Sequence, residues 1–135
     1  MINSLTPMDD LTFGQGIAQF NQQDFYACHD TLEAIWMEAI PEEKNFYQGI
    51  LQIAVGCYHL GNHNWNGAVI LLGEGVHRLR IYQPDHHGIN VALLVQESYR
   101  LLQQLQQIEP TQIDVFLNSQ KSNSRDLWPQ ILSQS

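Results

Sequence analysis

The sequence predicts an all-α domain: a bundle-like array of about five helices, mostly antiparallel neighbours, with no β-sheet. Three observations carry this. Apolar residues recur at helical spacing through most of the chain, and no segment alternates apolar and polar residues over the four or more positions a half-buried strand needs. The breaks between periodic segments are short, which favours antiparallel packing of consecutive helices. At 135 residues, 44% of them hydrophobic, a single domain should bury about two-thirds of its unfolded surface, enough for a core without disulfide or metal staples.

The first helix is predicted from Pro7 to Asn21, with Thr6 as N-cap, Pro7 at the first helical position and Asp9 and Asp10 in the first turn. Gln22 and Gln23 make a turn, and Asp24 caps a second helix reaching about Ile40, where Pro41 ends it. Glu42 and Glu43 open a third helix to about Leu60, followed by turn chemistry at Gly61 and Asn62. A fourth runs from near Asn64 to about Tyr82, with Trp65 anchoring the core beside the Asn64 cap and small Gly75 permitting a close crossing. Residues 83–88 read as a loop, a fifth helix covers about Ile89 to Ile108, and Gln112 to Leu117 adds one or two turns. Residues 1–117 are thus expected as one helical domain. Residues 118–135 are expected as a polar linker and a C-terminal anchor of Leu127, Trp128, Ile131 and Leu132. A weak internal echo at a shift of 41 residues pairs Asn21 with Asn62, Ala27 with Ala68 and Glu33 with Glu74.

Composition narrows the function classes. With 14 acidic against 6 basic residues and a net charge of −8, the chain is ill suited to bind phosphate backbones or anionic lipid, so neither nucleic acid nor membrane is an expected partner. The N-terminal residues carry no basic or apolar targeting pattern, and the expected location is the cytoplasm. Between Asn45 and Gly73 there is no charged Asp, Glu, Lys or Arg, yet Gln48, Gln52, His59, Asn62 and His63 interrupt the apolar residues too often for a membrane span. Cys28 and Cys57 sit in apolar helical patterns without ligand spacing and read as reduced core residues.

The second helix holds the most informative constellation. Phe25, Cys28, His29, Leu32, Ile35, Trp36 and Ala39 form one core-facing stripe. Glu33 lies four residues after His29, on the same face, and Asp30 crowds the same edge. Such an imidazole and carboxylate pair suits two metal ligands or a carboxylate that orients an imidazole, or the two can simply satisfy each other. On the third helix Gln48, Gln52, Val55, His59 and Asn62, spaced 4, 3, 4 and 3 residues apart, make a narrow polar seam in an otherwise apolar circumference. A buried seam needs polar partners, because each unsatisfied group costs about 1–3 kcal/mol. The expected partner is the His29 and Glu33 edge. His86 and His87 have no third ligand at a defined spacing, and no nucleotide, esterase or zinc-protease motif is present.

The run Phe25, His29, Asp30, Glu33, Trp36, then Phe46 to Gln52 with Ala54, then His59, then Gly67, Ala68, Leu71 and Leu72, resembles domain of unknown function family 309. The resemblance covers about Phe13 to Leu105. Where this chain has Asp30 the family commonly has Glu, so the carboxylate there has a shorter reach. The resemblance implies an all-α bundle of about five helices and supplies no catalytic assignment.

The leading expectation is a ligand- or partner-binding domain with a polar pocket between the second and third helices, lined by His29, Glu33, Trp36, Gln48, Gln52 and His59. Two alternatives stand beside it: a metal-dependent hydrolase using His29, Glu33 and His59, with Gln52 orienting a water, and a homo-oligomeric interaction module. The sequence requires no cofactor.

Overall fold

In the computed structural model, residues 7–120 and 127–134 are described. Helices α1 (Pro7–Asn21), α2 (Phe25–Glu38), α3 (Pro41–Gly61), α4 (Trp65–Leu79) and α5 (Val91–Gln106) follow in order, and α6 (Ile113–Ser119) closes the helical part. The Thr6 cap lies outside the described residues. Pro41 takes the first position of α3, where its missing N–H costs nothing, and Glu42 and Glu43 complement the positive end of the helix. The Asn64 side chain accepts the Gly67 N–H and caps α4, whereas the Asp24 side chain makes no such bond at α2.

From α1 to α5 each helix packs on the next, and the contacts show the direction. Gly16 faces Leu32 and Gln19 meets Thr31; Trp36 meets Lys44 and Tyr26 meets Tyr58; Gly49 faces Leu79 and Gly56 faces Leu72; Trp65 reaches Leu105 and Arg80 reaches Tyr99. In every pair rising numbers on one helix meet falling numbers on the other, so the neighbours are antiparallel. Helix α3, packed on both α2 and α4, is central. Phe20, Phe46, Ile50, Ile53, Leu60, Leu72, Leu94 and Leu105 form the dry core, and the rings of Trp36 and Trp65 lie half-buried at its edge. Among the described residues no helix is long and apolar enough to cross a membrane.

Two expectations are corrected. There are six α-helices among the described residues rather than about five, because the turns expected at 112–117 continue as α6 to Ser119. A hairpin replaces part of the 83–88 loop: β1 (Asp85–His86) pairs antiparallel with β2 (Ile89–Asn90). His87 and Gly88 both adopt left-handed backbone, φ 54° and 82°, the geometry of a two-residue hairpin turn. Strands of two residues are too short to leave an alternation signal.

The internal echo is real in the backbone, but at a shift of 40. Gln22, Gln23, Asp24 and Cys28 donate to Ala18, Phe20, Gln19 and Asp24; Asn62, His63, Asn64 and Ala68 donate to Tyr58, Leu60, His59 and Asn64. Gln23 (φ 65°) and His63 (φ 62°) occupy the same left-handed turn position. Gly16 against Leu32 repeats as Gly56 against Leu72. The hairpins α1–α2 and α3–α4 are therefore two copies of one helix-turn-helix unit.

Candidate functional site

His29 projects from the middle of α2, with its side chain 30% exposed. Its Nδ1 lies 3.2 Å from Asp30 Oδ1, within hydrogen-bond reach, and its Nε2 lies 3.9 Å from Glu33 Oε2, an ion-pair distance only when the imidazole is protonated. Both carboxylates are open to solvent. The Tyr26 ring, one turn earlier, stands 6.3 Å from His29 and 5.5 Å from the Tyr58 ring of α3. The edge shared by α2 and α3 therefore carries one imidazole, two carboxylates and two accessible phenol rings.

Trp36 closes this edge towards the end of α2. Lys44 Nζ lies 4.6 Å from the centre of its ring and donates to the Trp36 carbonyl at 2.9 Å, so a cation covers both the indole face and the negative end of α2. The indole Nε1 is buried without a hydrogen-bond partner.

The polar seam of α3 faces elsewhere. Gln52 is buried against α4, where its Oε1 accepts from Arg78 Nε at 3.1 Å and its Nε2 donates to Glu74 Oε1 at 3.1 Å. Arg78 Nη1 also donates to Asn45 at 2.8 Å. One amide thus joins a cation to a carboxylate, and both of its ends are satisfied. The half-buried His59 ring packs on Gly67, where a Cβ would stand 2.7 Å away, and its Nδ1 accepts from Asn64 Nδ2 at 3.3 Å. Gln48 is half-buried one turn before Gln52. The structure thus brings His29 and Glu33 together and turns Gln52 and His59 to the opposite side of α3. The cause is the glycines. Gly49, Gly56 and Gly75 lie where α3 and α4 come closest, and Gly49 and Gly56 share a helix face with Gln52 and His59. That spacing was the available signal for the seam's true partner. Among the described residues no three His, Cys, Asp or Glu side chains are placed to hold a metal ion, so the His29, Glu33 and His59 ligand set is not assembled.

Sequence spacing did not reveal a second cluster. Glu43, on the first turn of α3, receives His86 Nε2 at 3.0 Å, with His87 Nδ1 at 3.8 Å. Tyr47 Oη and His87 Nε2 are 3.1 Å apart. Phe13, Phe46 and Tyr82 pack around the two imidazoles. This cluster fastens the β-hairpin to α3 across 43 residues of sequence, a pairing no local pattern announces. A groove of about 390 Å³ beyond it, lined by Arg80, Gln83, Ala92, Val95, Gln96 and Tyr99, shares no residue with either cluster.

Comparison with known proteins places the α2–α3 edge in a recognised stretch. Residues 13–71 match DUF309, a domain of unknown function. The DUF309 match is shorter than the sequence resemblance suggested: it contains His29, Glu33, Trp36, Gln52 and His59 and stops within α4. The chain is also similar to "Uncharacterized protein YpuF" of Bacillus subtilis (strain 168), 34% identical over 68 residues, which are 50% of this chain and 37% of YpuF. This chain spans well under half the length of that curated relative. The DUF309 stretch takes in both helix-turn-helix turns, whereas the β-hairpin, α5 and the C-terminal segment lie outside it.

Proposed function

We propose that the chain is a binding domain whose recognition surface is the α2–α3 edge of the DUF309 stretch, and that this surface takes a cationic segment of a protein partner. The observation that carries the reading is the open ring pair. Tyr26 and Tyr58 are 59% and 38% exposed, 5.5 Å apart, beside the carboxylates of Asp30 and Glu33. Exposed aromatic faces next to carboxylates offer Lys or Arg both a cation–π contact and a counter-charge, and tyrosine is among the residues that carry binding energy at interfaces. The net charge of −8 supports the same sign of partner by steering cations towards the chain.

The reading differs from an enclosed pocket between α2 and α3, since Gln52 and His59 are engaged with α4. The test is a titration of isotope-labelled protein with a Lys- and Arg-rich peptide, followed by amide chemical shifts, with a Glu-rich peptide of equal length beside it. Shifts should concentrate on residues 26–33 and 58, and the double variant Tyr26→Ala, Tyr58→Ala should bind at least tenfold more weakly. Equal response to both peptides, or unchanged affinity in the double variant, would discard the proposal.

A further inference from the structure

The C-terminal residues 127–134 are held as a peptide is held by a receptor. Asn21, the last residue of α1, grips the Ile131 backbone from both sides: its Nδ2 donates to the Ile131 carbonyl and its Oδ1 accepts the Ile131 N–H, each at 2.8 Å. Glu97 of α5 accepts the Gln130 N–H at 2.9 Å. The hairpin supplies the rest. Asn90 donates to the Leu132 carbonyl at 2.8 Å, Gln134 donates to the Gly88 carbonyl at 3.0 Å, and Ile89 and Ser133 form an antiparallel bridge. Five backbone groups of the segment, three N–H and two C=O, thus find partners that belong to α1, α5 and the hairpin.

The side chains alternate between seated and free in the same way. Leu127 and Ile131 are 7% and 2% exposed and Pro129 is buried, while Leu132 remains 48% exposed. The Trp128 ring lies 5.3 Å from Phe25 at the start of α2. Main-chain pairing for affinity, with pockets for selected side chains, is the chemistry by which sheet edges and clamping side chains recognise extended peptides. Residues 121–126, Lys-Ser-Asn-Ser-Arg-Asp, join Gln120 to this segment in sequence.

We infer that the groove between the end of α1, the start of α2, α5 and the β-hairpin is a peptide-recognition site. Its resident occupant is the chain's own tail. It accepts in trans an extended partner segment of the pattern Leu-Trp-Pro-x-Ile, in which x is read through its backbone only. The site shares no residue with the α2–α3 edge and does not depend on the function proposed for that edge.

The test uses the full chain with residues 121–126 replaced by a protease recognition sequence, folded first and then cut. A fluorescent synthetic peptide of residues 127–135 should exchange with the released tail and bind the cut protein at least tenfold more tightly than the uncut one. Substituting Gln130→Ala in the peptide should leave affinity within about twofold, while Ile131→Asp should abolish binding. Asn21→Ala in the cut protein should weaken binding at least tenfold while circular dichroism stays unchanged. Three results would overturn the inference: no exchange after cutting, loss of helical signal when the tail departs, which would make the tail an integral part of the core, or a dimer on size exclusion that traps the tail of a second copy.

Discussion

Two glycines show how a single residue's surroundings decide the sign of a substitution. A Cβ on Gly75 would stand 2.7 Å from Ile53 Cδ1 and 2.9 Å from the Gly49 carbonyl oxygen, and the latter is backbone that does not swing aside. Gly75→Ala is expected to cost about 1–3 kcal/mol through overpacking. Gly14, inside α1, has nothing within 4 Å of its absent Cβ. There alanine removes backbone freedom from the unfolded chain without a clash, and Gly14→Ala should stabilise by about 0.5–1 kcal/mol. Urea unfolding of the two variants checks both, and equal shifts would refute the close α3–α4 crossing. The glycines that permit this crossing also account for Gln52 and His59, because a helix face able to approach its neighbour closely brings its polar residues along.

Among the elements, α3 and α4 are held by packing and by one polar bridge. Gln52 sits between Arg78 and Glu74, and Asn45 takes the outer end of the Arg78 guanidinium. Gln52→Ala removes the buried member and leaves donor and acceptor without their common partner, with an expected loss of about 1–3 kcal/mol. Asn45→Ala acts at the exposed end, where water replaces the contact, and should change stability by less than about 0.5 kcal/mol. Thermal unfolding of both variants should show this order; a larger effect at Asn45 would place the weight of the bridge at the surface. The repeat belongs to the same scale. The α1–α2 and α3–α4 hairpins share a turn, a glycine and a leucine register, yet α1–α2 carries a Thr31 bond to Gln19, whose counterparts in α3–α4 are Leu71 and His59, and α3–α4 carries the Arg78 bridge at other positions. The scaffold is repeated and the polar chemistry on it is not.

For the molecule as a whole, the buried thiols set how stability responds to alkali. Burial pushes Cys28 up from its ordinary 9.0 to about 12, with the Asp24 charge adding to the shift. Burial, and then the nearby Cys28, raises Cys57 further. Tyr82 is raised in the same sense, first by burial and then by the charge of Glu43. A raised acid favours the fold while it stays protonated. The thiol contribution is therefore complete below about pH 9 and declines as pH climbs towards the folded values, because the unfolded chain releases its protons first. The decline is bounded at about 1.4 kcal/mol per pH unit for each thiol. Urea midpoints should be insensitive to the thiols from pH 7 to 8.5 and fall between pH 9 and 11. A Cys28→Ala, Cys57→Ala double variant should fall less steeply, and an identical slope would show that the thiols are not the cause.

The sequence by itself determined where the helices lie. Pro7, Pro41 and Asn64 stand at the helix starts, the period of the apolar residues marks α1 to α5, and the His29, Glu33 and Trp36 spacing puts these three on one edge of α2. These features are local: each depends on residues within a turn or two of chain, and hydrogen bonding and helix period act over that distance. Only the tertiary structure decided which face of α3 meets which neighbour, and it gave Gln52 and His59 to α4 rather than to α2. It also joined Glu43 to His86 across 43 residues and Asn21 to Ile131 across 110. The rotation of a helix about its own axis is fixed by how closely its small residues let the next helix approach, and long-range polar pairs follow from that rotation. The first leaves only the spacing of Gly49 and Gly56 beside Gln52 and His59, and the second leaves no period in the sequence.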